Sequence, residues 1–527
     1  ALIGHPHALH YIFNRRICYR LAHQTPPPER IRRMEATVSL PPMVYLAAYF
    51  IFSLGTPGTR CSYPPYAWQT TGVPGNGKGI IPLPIYIMLV WILTHTPLLY
   101  FTQSIWRDEA FSILAAKRPV SFLISQLGLE PPLYYILLHF WIKLFGTSEV
   151  AVRSLSLLGF ALSTVLVIYW AEKLFRKHWL SWYLPILYFF NPMLLYYAFE
   201  VRTYGWFIFF AVASMYGYAE KKWPILIAAN VLGFYTHSYM IFIPITQGFH
   251  WLTTKKFQAS SFKLQVLLRD PVVRCLLATF FLMVPWFIRI AAQSSRLKGG
   301  WYYPVDVNLI KSVLGNMFIG YEGTPWYLWG FTSYLSLVLL FFFILAIKPK
   351  KTRSLTLFFL GLIFVPLTIV IGVSFFKPLF VNRYLIEVTV AEVFLVVFAI
   401  QLIKNAIVQK IIAFSFFLFT VSFNLWYPSQ HPKVDIRQTF REINMLLGDQ
   451  DIVLAASPLV LFESLYYAKD PNLVYLYNPM DLPFPQYVGD ALIHQSFMRR
   501  EFPRYPNRAF LVHEDGSFDI TYATLNE

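Results

Sequence analysis

The sequence predicts an all-α polytopic membrane protein that carries a small α/β domain at its C-terminal end. Of its 527 residues, 56% are hydrophobic and only 13% are charged, whereas about 25% of a soluble domain is charged. The apolar residues gather in stretches near the roughly 20 residues that cross a bilayer core. After residue 427, short alternating elements replace these stretches and predict a separate domain over residues 428–527.

Lysine and arginine outnumber aspartate and glutamate by 44 to 27. In a soluble protein this excess would favour a nucleic-acid partner. Here the basic residues cluster in short loops between apolar stretches, as at Lys348 and Arg353, which is typical of cytoplasmic loops. We therefore expect membrane lipids, and no nucleic acid, as partners. Cys18, Cys61 and Cys275 have no spacing that indicates a disulfide framework or a metal site.

Residues 1–80 are rich in proline, glycine and arginine, and their one apolar run is too short to span a membrane. We interpret them as a disordered or non-native cytoplasmic extension. The run GVPGNGKG at 72–79 is close to a phosphate-binding loop. Gly79 stands where that loop needs a metal-binding hydroxyl, and no apolar strand precedes it, so no nucleotide site is predicted.

A transmembrane domain is predicted over residues 81–427, with about 11–13 transmembrane helices. The eleven apolar stretches that we place as spans are 82–103, 150–171, 180–198, 203–219, 223–236, 239–253, 272–292, 326–347, 354–375, 384–403 and 408–427. The run 131–145 covers about 22 Å as a helix, less than the hydrocarbon core of about 30 Å. Because Tyr135, His139 and Lys143 give it a polar stripe, we expect it to lie in the outer interface.

This choice places the basic clusters on one side of the membrane. The clusters at 173–177, 221–222, 255–274, 348–353 and 404–410 then all lie inside. The N-terminus is expected in the cytoplasm. The loops 104–149 and 293–325 and the C-terminal domain are expected outside a plasma (inner) membrane, where candidate chemistry should be sought.

The C-terminal domain has the pattern of a compact α/β fold. Residues 451–456, 472–477 and 508–514 are predicted strands, and 458–468 is a predicted helix between the first two. Val434, Ile436, Phe440, Ile443 and Leu447 follow a helical stripe ahead of them.

The first outer loop begins with two adjacent carboxylates, Asp108 and Glu109, at the start of a predicted helix that runs to Lys117. Acidic side chains favour the positive end of a helix dipole, so a purely structural helix start would also explain them. The loop continues to Glu130, Pro131 and Pro132, followed by Leu-Tyr-Tyr with Tyr134, where the double proline fixes the start of the next helix.

Three further groups of polar residues fall in or near outward segments. Glu200, Arg202 and Tyr204 lie at the outer end of a helical hairpin, where a salt-bridged turn would explain them equally well. Basic residues are disfavoured outside, so an anion such as a lipid phosphate is expected near them, with ordinary headgroup contact as the alternative. These basic residues are Arg383, followed by Tyr384, and Arg289, Arg296 and Lys298. Glu392, near the middle of a span, is expected to be paired inside the bundle.

The motifs over residues 82–430 together resemble the membrane glycosyltransferases of the GT-C fold. The branch is that of the protein O-mannosyltransferases (glycosyltransferase family 39) and the lipid A aminoarabinose transferases. The matching motifs are Asp108-Glu109, Pro-Pro-Leu-Tyr-Tyr at 131–135, Arg-Ser-Leu-Ser at 153–156, Glu-x-Arg-x-Tyr at 200–204, Tyr-Thr-His ending at His237, and Arg383-Tyr384.

The resemblance implies transfer of a sugar from a polyprenyl-phosphate donor to a hydroxyl of a lipid, glycan or protein acceptor, with inversion. Asp108 would act as general base, and Glu109 would position the acceptor or order the loop. Arg383, Tyr384 and Arg202 would hold the carrier phosphate. Residues expected in the substrate pocket are Glu130, Tyr134, Glu200, Tyr204 and His237.

Two residues depart from the family pattern. Relatives commonly have lysine or histidine before the double proline, where this chain has Glu130, so the donor contact comes from elsewhere or Glu130 serves another donor or metal arrangement. Some relatives have aspartate at the position of Tyr204, which leaves Glu200 as the available carboxylate. Phosphate is a good leaving group, so no cofactor is required, and a divalent metal ion is optional.

Two other functions use similar substrates. A transporter or flippase of lipid-linked sugars would be expected to have internal repeats and ionisable residues at the membrane midplane, and we find no repeat. A polysaccharide polymerase would share the lipid-linked substrate and the outward arginines but would not require Asp108 as a base. The expected location, a bacterial plasma membrane, follows from the family resemblance.

Overall fold

A computed structural model describes residues 92, 95–176, 178–254, 269–293, 305–323, 325–348, 352–493 and 495–524. The expected extension 1–80, with its glycine-rich run, lies outside the described residues. So do most of the first predicted span and the residues Arg296 and Lys298.

Six helices of the described residues are long and apolar enough to cross a membrane. They are α5 (Glu149–Phe175), α11 (Pro271–Ala292), α13 (Leu328–Ala346), α14 (Arg353–Ser374), α15 (Ile386–Gln401, extended by the preceding 3₁₀ turn Asn382–Leu385) and α16 (Ala406–Gln430). Several expose large apolar side chains, such as Phe281 at 75% and Leu337 at 64%. Such surfaces are stable against lipid rather than water.

The other predicted spans form shorter helices. They are α6 (Leu180–Phe189), α7 (Pro192–Ala198), α8 (Tyr204–Ala219), α9 (Trp223–Phe234) and α10 (Phe242–Thr254). The predicted span 180–198 is interrupted because Asn191 caps α7 and Pro192 occupies its first turn. A further helix, α12 (Val307–Ile319), lies in what we predicted as an outer loop. Its C-terminal half is buried, and Thr389 of α15 donates a hydrogen bond to the carbonyl of Met317.

The central helix of the bundle is α15, which is almost entirely buried. Glu392 is fully buried there, but neither carboxylate oxygen has a hydrogen-bond partner among the described residues. Our expectation that Glu392 is paired was therefore wrong. An unpaired carboxyl in an apolar interior is stable only in its uncharged form.

Helices α5 and α8 cross in backbone contact. A Cβ atom at Gly205 would lie 2.0 Å from the carbonyl oxygen of Ser156, and one at Gly159 would lie 2.8 Å from the carbonyl of Gly205. Small residues permit this approach. The crossing brings the N-terminal turn of α8, with Tyr204, against the end of α5 that carries Arg153.

Helix α1 (Leu98–Thr102) lies at the end of the first predicted span. The segment predicted as the first outer loop folds into the short helices α2 (Arg107–Ala116), α3 (Val120–Ser125) and α4 (Pro132–Phe145). Helix α2 matches the predicted helix from Asp108 to Lys117. The predicted polar stripe on α4 is divided. Tyr135 and His139 are buried against the protein, where His139 Nδ1 lies 2.7 Å from the carbonyl of Ala116, whereas Lys143 is exposed. Beside Lys143, the exposed face of α4 carries large apolar side chains such as Leu144 at 75%, which suits a helix at a membrane interface.

The C-terminal domain is a five-stranded sheet flanked by helices. Its elements are α17 (Ile436–Leu446), β1 (Ile452–Ala455), α18 (Pro458–Tyr467), β2 (Val474–Tyr477), α19 (Gln486–Gly489), β3 (Met498–Arg499), β4 (Ala509–Val512) and β5 (Phe518–Thr521). The strand order is β3-β2-β1-β4-β5, and only β5 is antiparallel to its neighbour. The three predicted strands and both predicted helices are confirmed, whereas β3 and β5 were not predicted.

This domain packs directly on the first outer loop. The rings of Phe111 on α2 and Phe462 on α18 are 5.6 Å apart. Gly489 takes a φ of 121°, and a Cβ atom there would lie 2.5 Å from Phe111. The Tyr467 hydroxyl accepts a hydrogen bond from the backbone of Ile105 at 2.7 Å. Apolar packing and polar contacts thus fix the domain above α2.

Candidate functional site

The two adjacent carboxylates of α2 lie in different surroundings. Glu109 is fully buried, and its oxygens accept from Arg153 at 2.8 and 2.7 Å, from the backbone of Val201 at 3.1 Å and from Lys433 at 3.3 Å. Burial raises the pKa of Glu109, but Arg153 and Lys433 outweigh burial and lower that pKa to about 2. These contacts tie Glu109 to several segments of the chain, which fits the loop-ordering role, one of the two roles that the sequence allowed.

Asp108 lies at the edge of this network with 19% of its side chain exposed. Its carboxylate accepts from the Nε of Arg107 at 3.1 Å. Burial raises the pKa of Asp108, but the guanidinium groups of Arg202, Arg107 and Arg383 together hold it below its ordinary value. The side chain is thus an ionised, accessible carboxylate that faces the two arginines predicted to bind phosphate.

Arg202 lies in the turn between α7 and α8, and its side chain is buried. One terminal nitrogen lies 3.4 Å from the hydroxyls of Ser112 and Tyr135. The other lies 3.8 Å from a carboxylate oxygen of Glu130, whose second oxygen accepts from Tyr135 at 2.9 Å. Glu130, which is 37% exposed, is therefore a partner of Arg202.

Arg383 lies in the 3₁₀ turn that precedes α15, and its side chain is only 8% exposed. It forms an ion pair with Glu322 at 2.7 Å, and its guanidinium lies 5.8 Å from the ring of Tyr384. Glu322 is 33% exposed and was not predicted as a site residue. Each candidate phosphate-binding arginine is thus buried and pairs with a partly exposed carboxylate.

Aromatic side chains form one wall beside these charges. The ring of His237 stacks on Phe207 at 4.7 Å and meets Tyr384 at 5.2 Å and Tyr204 at 5.9 Å. Burial lowers the pKa of His237, and the positive charges of Arg202 and Arg383 lower it further, to about 3. His237 is therefore uncharged at neutral pH and belongs to an aromatic cluster in which Phe207 and Tyr204 are buried and Tyr384 is partly exposed.

Tyr134 and Glu200, two further residues predicted in the substrate pocket, are buried. Tyr134 is fully buried, and its hydroxyl lies 2.9 Å from that of Ser156. Glu200 is 3% exposed and pairs with Lys433 at 3.3 Å. Burial raises the pKa of Glu200, although Lys433 opposes this effect. Both side chains thus have partners within the protein and little solvent exposure.

One basic residue expected near an anion has other partners. Arg289 donates to the carbonyl oxygens of Ile124 at 2.6 Å and Gly128 at 3.1 Å. These contacts fasten α11 to the segment that precedes Glu130, so Arg289 has a structural task that the sequence did not reveal. Within the described residues, no three histidine, cysteine, aspartate or glutamate side chains form a group that could hold a metal ion.

Comparison with solved structures finds two similar crystal structures of one protein. Over 81% of this chain and 92% of the other, the apo crystal structure of ArnT from Cupriavidus metallidurans has a TM-score of 0.52 at 11% identity. The crystal structure of the same protein bound to undecaprenyl phosphate has a TM-score of 0.51 at 12% identity, over 82% and 92% of the two chains. No protein-family model and no curated protein sequence matches the chain. Because such low identities carry only the fold, we conclude that this chain has the ArnT-like GT-C fold of a polytopic membrane protein, with a small C-terminal α/β domain.

Proposed function

We propose that this protein is a glycosyltransferase that moves a sugar from a polyprenyl-phosphate carrier to a hydroxyl acceptor at the outer face of the membrane. The observation that carries the proposal is the grouping of the ionised Asp108 with two buried arginines, Arg202 and Arg383, beside an aromatic wall. A base, an anion-binding pair and a sugar-binding surface then share one pocket. Support for the carrier comes from the ArnT structure that holds undecaprenyl phosphate.

The transfer is a single displacement in which atoms and charges balance. Asp108 takes the proton of the acceptor hydroxyl, and the acceptor oxygen forms a bond to the anomeric carbon of the sugar. The bond between that carbon and the phosphate oxygen breaks, and the carrier phosphate leaves with the electron pair. Attack opposite the phosphate inverts the anomeric carbon. Arg202 and Arg383 stabilise the charge on the leaving phosphate.

Donor binding would also strengthen the base. In the free protein, positive neighbours hold the pKa of Asp108 below its ordinary value after burial has raised it. A bound phosphate offsets the charges of Arg202 and Arg383, so their effect on Asp108 shrinks and its proton affinity rises. The carboxylate would therefore become an effective base only once the donor is in place.

One helix supports an outward orientation of the site. Arg153 of α5 lies at the site through its contact with Glu109, whereas Lys173 lies about 30 Å further along the same helix. Because basic ends favour the cytoplasm, we infer that the site faces outward, in the same direction as the C-terminal domain that packs on α2. The acceptor, which can be a lipid, glycan or protein, would reach the pocket from that side.

The test is sugar transfer by purified, detergent-solubilised protein with a panel of polyprenyl-phosphate sugars. We expect the native protein to release carrier phosphate and Asp108→Asn to lose about 10²- to 10⁴-fold in rate, the usual contribution of a general base. Asp449→Asn, at an exposed aspartate of the C-terminal domain, is the matched control and should keep native activity. An equally active Asp108→Asn would exclude Asp108 as the base. If no donor reacts while liposomes show lipid-linked sugar crossing, a transporter or flippase replaces the enzyme.

A further inference from the structure

Lys433 is a buried lysine between the last membrane helix and the C-terminal domain. It follows α16 and precedes α17, and its side chain is 10% exposed. Its ammonium lies 3.3 Å from Glu109 and 3.3 Å from Glu200. It also lies 5.1 Å from the ring centre of Trp106, which gives it a third, cation–π contact.

The two carboxylates that Lys433 joins belong to different parts of the site. Glu109 follows Asp108 in the first turn of α2. Glu200 lies two residues before Arg202, and the backbone amide of Arg202 donates to the carbonyl of Glu200 at 2.7 Å. One ammonium group therefore connects the backbone that carries the proposed base to the backbone that carries a proposed phosphate-binding arginine.

The charges of this network depend on Lys433. Glu109 has a second cation in Arg153. Among the described residues, Glu200 forms an ion pair with Lys433, and Oε2 of Glu200 is buried there without a hydrogen bond. Removing the lysine would leave a buried carboxylate without its cation, which such a site tolerates only by protonation or by movement. A second tie, from the amide of Val201 to Glu109 at 3.1 Å, would remain and keep the fold together.

We propose that Lys433 is a positioning residue of the transfer reaction, which holds Asp108 and Arg202 at their working separation through Glu109 and Glu200. This inference rests on the proposed function. The lysine lies on the segment that leads into the C-terminal domain. The attachment of this domain would therefore help to position the reacting groups, in addition to covering α2. A displacement of about 1 Å in such an arrangement can cost about 100-fold in rate.

The test compares Lys433→Met, Lys433→Arg and the exposed control Lys469→Met in transfer assays. We expect Lys433→Met to lower kcat about 30- to 100-fold while the KM for the donor changes less than about threefold, because Arg383 keeps its own partner Glu322. Lys433→Arg, which can still bridge two carboxylates, should recover most of kcat. Native kcat in Lys433→Met, or an equal loss in Lys469→Met, would overturn the proposal.

A second variant covers the case in which Lys433→Met does not fold. Glu200→Gln cuts the same tie and leaves Lys433 paired with Glu109. Glu200→Gln should lower kcat by a similar factor. The kcat of the double variant should be no lower than that of the less active single variant, because both changes remove the same connection. If the kcat losses of the two single variants added fully in the double variant, Lys433 and Glu200 would act separately, which would contradict the proposal.

Hydrogen–deuterium exchange provides a readout that needs no turnover. Exchange at residues 105–110 and 199–203 should rise in both Lys433→Met and Glu200→Gln and stay native in Lys469→Met. If the native protein transfers no sugar but exchange rises in these two variants alone, the proposed function fails, whereas the connection that Lys433 makes between Glu109 and Glu200 stands. Unchanged exchange in an active enzyme would refute the connection alone.

Discussion

Asp108 and Glu109 are neighbours in one helical turn but have separate sets of partners. Asp108 is partly exposed and faces Arg107, Arg202 and Arg383, whereas Glu109 is fully buried against Arg153 and Lys433. One carboxylate is available for chemistry, and the other fixes the turn that presents it. In the proposed reaction, the same two-residue motif would supply both the reactive group and its support.

Loss of the Glu109 charge should destabilise the protein rather than merely inactivate it. In Glu109→Gln, the buried Arg153 loses its ionic partner, and breaking a buried pair from one side costs about 3–5 kcal/mol. We expect a clear fall in the thermal unfolding midpoint, measured in detergent by intrinsic fluorescence. Asp108→Asn and the exposed Asp449→Asn should differ little from native. A Glu109→Gln protein as stable as the native one would show that the pair contributes no net stability.

Replacement of Arg383 should weaken donor binding. A charge-assisted hydrogen bond is worth about 1.5–3 kcal/mol, so Arg383→Gln should raise the donor KM about 10- to 100-fold. Arg383→Lys should recover only part of this loss, because lysine lacks the bidentate fork. The exposed Arg353, at the far end of α14, provides the control Arg353→Gln. A native KM in Arg383→Gln would place the phosphate elsewhere.

The pH dependence of catalysis should differ between the free and donor-bound enzyme. Arg202, Arg107 and Arg383 hold the pKa of Asp108 below its usual value against the effect of burial, and bound phosphate offsets part of this effect. The acid limb of kcat/KM, which reports the free enzyme, should therefore lie at lower pH than the acid limb of kcat. Coincident limbs would mean that the donor phosphate does not approach Asp108.

Glu463 should make the stability of the protein fall as pH rises from about 4.5 to 8. Burial of this α18 side chain near Arg107, Asp108 and Lys433 raises its pKa to about 8, although Arg107 and Lys433 oppose the shift. Between about pH 4.5 and 8, the folded protein holds a proton that the unfolded chain releases, so stability falls as pH rises through this window. The unfolding midpoint should drop more from pH 5 to 8.5 in the native protein than in Glu463→Gln. The exposed Glu501→Gln should behave as native, and an equal drop in all three proteins would contradict the assignment.

The crossing of α5 and α8 should not tolerate a methyl group. In Gly205→Ala, the new Cβ would lie 2.0 Å from the carbonyl oxygen of Ser156, so the helices must separate. Overpacking of this kind costs about 1–3 kcal/mol and would also shift Tyr204. Gly372→Ala, where a Cβ has nothing within 4 Å, is the matched control. We expect a lower unfolding midpoint and lower transfer activity in Gly205→Ala alone.

Regular elements could be predicted where local pattern and tertiary environment agree. The alternation around β1, β2 and β4 identified these strands because each has one face or more in the domain core. Strand β5 was missed because its central residues Asp519 and Ile520 are both exposed at the sheet edge, so no alternation marks it. Helix α12 was missed because 13 residues are too few for a span. The Asn191-Pro192 pair could have predicted the interruption of the long span.

The candidate site could be predicted only in part for a related reason. Asp108, Arg202, Tyr204, His237 and Arg383 belong to motifs, and the structure brings them together. Their partners Glu322, Lys433 and Glu463 belong to none, and Lys433 is separated from Glu109 by 324 residues. No local pattern indicates a pairing over such a distance. Which cation neutralises a given buried carboxylate depends on how the helices pack, and not on the residues nearby in the sequence.

The long separation between Glu109 and Lys433 also sets the order in which the protein can mature. At the usual synthesis rate of about 5–20 residues per second, Lys433 is made roughly 15 to 65 seconds after Glu109. Throughout this interval, the membrane helices can insert while Glu200 still lacks its cation. A nascent or prematurely terminated chain would therefore possess the proposed base and the phosphate-binding arginines without their final alignment, so the pocket matures only when translation has passed the last membrane helix.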